Sequence, residues 1–218
     1  MIPTKEEWIK ALTGRHGVDF QKKISSAAVA VCGLGGLGSN IAIALTRAGI
    51  GKLILVDFDK VDITNLHRQQ YKTNQIGKSK TEALRDNLKE INPYLETEIH
   101  TIYLDESNAK GIISDADIVC EAFDNPEDKA MLTNLVLEKM PDKYIVASSG
   151  MAGLESANAI HTRKISKRFY LCGDEKSDVR NGIGLVASRV SVCASHQANM
   201  ILRIISENFE EKEGLYYE

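Results

Sequence analysis

Residues 27–38 read AAVAVCGLGGLG, and the fold turns on how this stretch is read. Its first six residues are apolar and small or β-branched, the composition of a strand buried on both faces. Gly33, Gly35 and Gly38 then give the spacing G-x-G-x-x-G, after a strand and before residues 39–51, SNIAIALTRAGIG, whose apolar positions recur at helical spacing up to Gly49 and Gly51. In this context Gly33 allows a tight turn. Gly35, with Gly36 beside it, lets a phosphate-bearing ligand approach the backbone, and Gly38 lets helix and strand pack closely. The helix start offers free N–H groups to anionic oxygens. A glycine-rich turn that binds nothing is the competing reading, and the flanking strand, helix and downstream acid weigh against it.

Outward from the turn, strand and helix signals alternate. KLILVDFD (52–59) reads as a second buried strand, Lys78 to Ile91 as an amphipathic helix stopped before Pro93, and Glu96 to Ile102 as an alternating strand. ADIVCEAFD (116–124) is another buried strand; Asn125 and Pro126 open a helix through Lys139, and KYIVASSG (143–150) is a further strand. ANAIHTRKI and RFYLCG suggest a shorter antiparallel annex, and Val186 to Phe209 a long final helix. The expectation is a Rossmann-like α/β fold with a largely parallel sheet, helices on both faces and a small antiparallel annex. Residues 1–218 read as a single domain, with 1–26 an N-terminal helical segment and 27–218 a nucleotide-binding core; no repeat, low-complexity run or linker divides them.

Composition narrows the function. With 218 residues, 43% of them hydrophobic, the chain can build a core unaided. Lys and Arg number 27 against 30 Asp and Glu, a net charge of -3, so no general basic field recommends nucleic acid or an anionic membrane as partner. The start MIPTKEEWIK has neither the basic opening nor the apolar stretch of a secretory signal, and no apolar run approaches the roughly 20 residues of a membrane span. A cytoplasmic protein is expected. Cys32, Cys120, Cys172 and Cys193 form no CxxC pair, which predicts reduced thiols and no zinc site.

Asp57 ends the second strand about 20 residues past the glycines, where a carboxylate can accept from a ribose hydroxyl, in ATP or NAD alike. Asp59 and Asp62 are candidates of the same loop or plain loop acids. Asn65, Arg68, Gln69 and Lys80 follow in DKVDITNLHRQQY and IGKSK. Two cations there would neutralise charge on departing pyrophosphate, a use that dehydrogenases do not have. Asp124 lies at the ligand-binding edge, where a carboxylate can hold Mg²⁺ between phosphate oxygens; the alternative is a helix cap, a role that Asn125 fits better. The five histidines, His16, His67, His100, His161 and His196, have no partner at metal-ligand spacing.

GLGGLGSN, RAGIGKLILVDFDKVDITNLHRQ, GKSK and ADIVCEAFDN together resemble the adenylation domain shared by ThiF, MoeB, HesA and the ubiquitin-activating enzymes, in that family's order and over nearly the whole chain. The likeness is greatest to short zinc-free ThiF proteins. It implies that Asp57 holds the ribose of ATP, that Asn65, Arg68 and Lys80 hold its phosphates, and that Asp124 holds Mg²⁺ and the reacting centre. It also implies an adenylyltransferase acting on the C-terminal carboxylate of a small ubiquitin-like, ThiS-like sulfur carrier protein in thiamine biosynthesis, and a homodimer. A MoaD-like carrier, an activity like that of tRNA threonylcarbamoyladenosine dehydratase, and an NAD-dependent oxidoreductase are the alternatives.

The chain departs from the family in three places. Paired CxxC zinc motifs are missing. The family's RYxRQ segment is reduced to RHGVDFQ (15–21), leaving Arg15 as the candidate for an arginine reaching a partner subunit's ATP. Cys172, in FYLCGDEKSD upstream of GIGLVASR, is the one expected loop cysteine, open between a functional thiol and an ordinary one.

Overall fold

The computed structural model describes residues 2–180 and 182–206. Two helices, α1 (Lys5–His16) and α2 (Val18–Ser26), precede β1 (Ala28–Cys32), α3 (Gly36–Ala48) and β2 (Lys52–Val56). There follow α4 (Lys80–Ile91), β3 (Glu96–His100), α5 (Ala109–Ile112), β4 (Ile118–Glu121), α6 (Pro126–Lys139), β5 (Tyr144–Ser148), β6 (His161–Ser166), β7 (Phe169–Gly173) and α7 (Ala187–Ser206). The expected end of the last helix at Phe209 lies outside the described residues.

Side-chain alternation along the strands divides the core in two. Val29, Val31, Leu53 and Leu55 point to the face covered by α3, α4 and α7, where Ile41, Leu45, Leu84, Leu88, Val190 and Ile201 meet them. Ala30, Cys32, Ile54 and Val56 point to the other face, against Ile113 and the α6 residues Leu132 and Val136. Period-2 alternation with apolar residues on both faces is the pattern of a sheet sandwiched between helices.

The sheet has seven strands in the order β3-β2-β1-β4-β5-β7-β6. All neighbours run parallel except β6 and β7. The small antiparallel pair is present as expected, and it is joined to the main sheet: β7 pairs with β5 from Ile145↔Phe169 to Ser148↔Cys172. Tyr170 and Cys172 bury their side chains in the α7-facing core, which holds the pair in place. Chain progression reverses at β1, where β2 lies on one side and β4 on the other, so a crevice opens beyond their carboxyl ends. Among the described residues no helix is long and apolar enough to cross a membrane.

Two glycines create the turn at that crevice. Gly33 has φ +91°, and a Cβ on it would stand 2.7 Å from the carbonyl oxygen of Ala122, at the exit of β4. A Cβ on Gly38 would lie 1.8 Å from the Gly33 carbonyl oxygen, a backbone atom that cannot move aside. Gly38→Ala is therefore expected to lower stability by about 3 kcal/mol through overpacking, read from urea denaturation; a loss below about 1 kcal/mol would show that the turn relaxes.

Candidate functional site

The peptide of Leu34, inside the glycine turn, is held from both sides. Its N–H donates to Oδ2 of Asp57 at 2.7 Å, and its carbonyl accepts from the Tyr71 hydroxyl at 2.7 Å. Oδ1 of Asp57 accepts from the Asp59 N–H at 2.8 Å. Burial pushes the Asp57 carboxyl up, opposed by Lys80 and by these N–H groups. The turn leads into α3, whose N-cap Gly35 offers no side chain to the first N–H groups. Those donors face the crevice uncapped, the condition for an anion site.

Over this helix start lie Arg68 and Gln69. The Cγ and Cδ of Arg68 are 3.4 and 3.5 Å from where a Cβ on Gly36 would be, and Gln69 Nε2 is 3.7 Å from the same point on Gly35. The backbone that carries both is anchored by a short 3-10 turn at residues 63–65 and by Asn40, whose amide donates to the Arg68 carbonyl at 3.2 Å. Nη1 of Arg68 donates to Thr64 O at 3.2 Å, whereas its Nε and the Oε1 of Gln69 are buried with no hydrogen-bond partner among the described residues. Buried polar atoms without partners are uncommon and costly, so two beside one uncapped helix mark a place built for a polar ligand. Burial lowers the Arg68 pKa, and the carboxylate of Asp124 acts in the opposite direction, so the two lie within electrostatic range of each other.

Lys80, the first residue of α4, is only 6% exposed. Its ammonium lies 2.6 Å from Asp59 Oδ2 and 3.9 Å from Asp57 Oδ2. Asp59 is thus the lysine's counter-ion rather than a free loop acid. Asn65 has a local role not foreseen: its amide oxygen accepts from the Asp62 N–H at 3.0 Å, and Asp62 in turn caps Thr64. Asn125 is the cap of α6, accepting from Glu127 N at 2.7 Å and Asp128 N at 3.3 Å. Asp124 is consequently left outside the cap and exposed.

Two expected site residues are not brought here. Arg15 is exposed in the last turn of α1. Leu12 and Gln21 of the N-terminal helices press on Gly49, at the far end of α3 from the glycine turn; a helix of 13 residues separates the two ends by about 20 Å. Cys172 is a correction: it is the fourth residue of β7, not a loop residue, and is fully buried. Burial pushes its thiol up to about 12, opposed only by Thr162, so this conformation presents no nucleophile. A further cluster escaped notice: Glu121, 1% exposed at the end of β4, and Lys129 of α6. Its signal was a lone acid in the apolar run IVCEAF.

With this geometry in view, the ThiF family model matches residues 10–217. The chain belongs to the ThiF family. Among its relatives, the adenylyltransferase and sulfurtransferase MOCS3 of Caenorhabditis briggsae is 42% identical over 132 residues, 60% of this chain and 33% of that protein. The ubiquitin-like modifier-activating enzyme 5 of Caenorhabditis elegans is 38% identical over 166 residues, 71% of this chain and 38% of that protein. This ThiF-family chain thus spans about a third of the length of these relatives. Its fold is that of the E. coli tRNA N6-threonylcarbamoyladenosine dehydratase TcdA, solved in complex with ATP, with TM-score 0.84, 20% identity, and coverage of 95% of this chain and 98% of that one. E. coli MccB superposes with TM-score 0.71 at 21% identity, over 92% of this chain and 62% of MccB.

All four cysteines of this family member are free and buried. Iodoacetamide at neutral pH is expected to alkylate Cys172 at least about a hundredfold more slowly in the native than in the denatured protein, followed by peptide mass spectrometry. Equal rates would mean that β7 opens and exposes the thiol.

Proposed function

We propose that this ThiF-family chain is an ATP-dependent adenylyltransferase that activates the C-terminal carboxylate of a ubiquitin-like sulfur carrier protein. The observation that carries the reading is the uncapped start of α3 lying beneath the partnerless Arg68 Nε and Gln69 Oε1, with Asp124 opposite. A triphosphate fits these groups: oxygens for the helix N–H donors and the guanidinium, a ribose hydroxyl for Asp57, and an amine or hydroxyl for Gln69 Oε1. Asp124 would hold Mg²⁺, which when bound supplies further neutralisation of phosphate charge.

The chemistry asks for alignment more than for a base. A carrier's terminal carboxylate is already ionised near neutral pH. Its oxygen attacks the α-phosphorus of ATP and forms a P–O bond; the bond to the bridging oxygen breaks, and pyrophosphate leaves with the electron pair. Arg68 and the α3 N–H groups stand where that charge develops. Lys80 joins them by exchanging Asp59 for a phosphate, at no loss of charge pairing.

Within this reading the carrier is ThiS-like, and the pathway is thiamine biosynthesis in the cytoplasm; a MoaD-like carrier is the nearest alternative. The relatives named for adenylyl transfer and for ubiquitin-like modifier activation support a protein substrate. The near end-to-end match to TcdA favours, as the second reading, activation of a small carboxylate on tRNA. An oxidoreductase would leave Arg68, Lys80 and Asp124 without a role. Because its own chain holds Arg15 away from the crevice, a homodimer in which Arg15 crosses to the partner is the form in which that residue would act.

Carrier-dependent ATP/pyrophosphate exchange tests the proposal, with ThiS-like, MoaD-like and tRNA substrates added one at a time. Asp124→Ala and Lys80→Ala are each expected to lower exchange by about a hundredfold or more. Asp124 is exposed, so its variant should keep the wild-type urea midpoint. Exchange at the wild-type rate in both variants overturns the assignment.

A further inference from the structure

Glu121 is the last residue of β4 and is 1% exposed, an acid inside an otherwise apolar strand. Lys129, from the first turns of α6, donates to both of its carboxylate oxygens at 3.0 Å, and also reaches Ser148 O at 3.3 Å and Ser148 Oγ at 3.2 Å on β5. The same carboxylate accepts from the Phe123 N–H at 2.7 Å. The acid thus folds back on the turn that follows it and fixes the Ala122–Phe123 peptide, one residue ahead of Asp124. Gln197 of α7 holds the other side of Glu121, donating to its carbonyl at 3.0 Å and to Val146 O at 3.3 Å. Between the two lies Ala122, whose carbonyl stands where a Cβ on Gly33 would clash.

A buried ion pair is weak evidence for stability, since desolvating both ions opposes their attraction and a well-packed apolar pair serves as well or better. A hydrogen-bonded pair is directional, however, and this one is aimed at a turn. We infer that Glu121 and Lys129 form a positioning clamp that fixes the β4–α6 turn against the glycine turn, and so sets where Asp124 stands opposite Arg68. They are positioning residues, acting through Asp124. That Asp124 works in adenylyl transfer rests on the proposed function; that the pair orders residues 122–125 does not.

The test uses a variant that keeps packing while removing direction. Glu121→Met with Lys129→Met replaces both ions by apolar chains of similar length, and its melting temperature is expected within a few degrees of wild type. In it the Phe123 amide should exchange with solvent at least about tenfold faster, by nuclear magnetic resonance or mass spectrometry, while the Leu34 amide keeps its protection. In the exchange assay kcat should fall about tenfold with the KM for ATP within twofold, Lys129→Arg should retain wild-type values, and adding Asp124→Ala to the Met pair should cost no more than Asp124→Ala alone. Should the Met pair fail to fold, Glu121→Met alone carries the same readings, since it too removes the acceptor of the Phe123 N–H while Lys129 keeps Ser148 as a partner. Unchanged Phe123 protection overturns the clamp, as does an equal loss of kcat with and without Asp124. If the wild-type protein catalyses no exchange with any carrier, the proposed function fails, and the Phe123 amide still decides the clamp.

Discussion

The contact on which the rest depends is backbone against backbone. With no side chain at Gly38, α3 begins directly against the Gly33 carbonyl, and with none at Gly33 the exit of β4 lies against the turn from the other side. These approaches bring the ends of β1 and β4 together at the point where the strand order reverses. Everything polar in the crevice is then hung around one short stretch of main chain. Asp57 and Tyr71 grip its middle, Arg68 and Gln69 lie over its helical end, and Glu121 and Lys129 order the neighbouring turn.

The electrostatic balance of the crevice follows from how few of its charges are free. Lys80 is paired with Asp59 and close to Asp57, so its buried ammonium is neutralised in the resting protein. Among the described residues the Arg68 side chain has a carbonyl and a histidine as hydrogen-bond partners, with Asp124 as an electrostatic neighbour rather than a bonded one. An arriving polyanion therefore meets one under-partnered guanidinium and one uncapped helix before it competes for the lysine.

Local signals made much of this legible. The apolar runs of β1 and β2, the glycine spacing, and Asn125 as the cap ahead of Pro126 are features of contiguous sequence, and each stands where the residues indicate. What could not be read was set by partners distant along the chain. FYLCG reads as a strand by itself, but its parallel pairing with β5 and the burial of Tyr170 and Cys172 under α7 depend on residues far along the chain. Lys78 was expected within the helix, but it lies in a turn, donating its N–H to Gln75 O, and α4 starts at Lys80. Asn65 was read as a ligand group because its spacing fits, while its amide oxygen serves the turn that carries Arg68. Glu121 and Lys129, eight residues apart, meet because a strand and the next helix run back past each other.

The Asp57 carboxylate ties function to folding in a way that limits how the family can drift. Its oxygens brace the Leu34 and Asp59 amides, and a carboxylate oxygen has lone pairs to spare for a further hydroxyl donor. A lineage that stopped needing nucleotide would still be penalised for losing this acid, since the loop it braces would slacken. An aspartate here therefore says less about ligand binding than Arg68 does, whose buried Nε has no hydrogen-bond partner among the described residues.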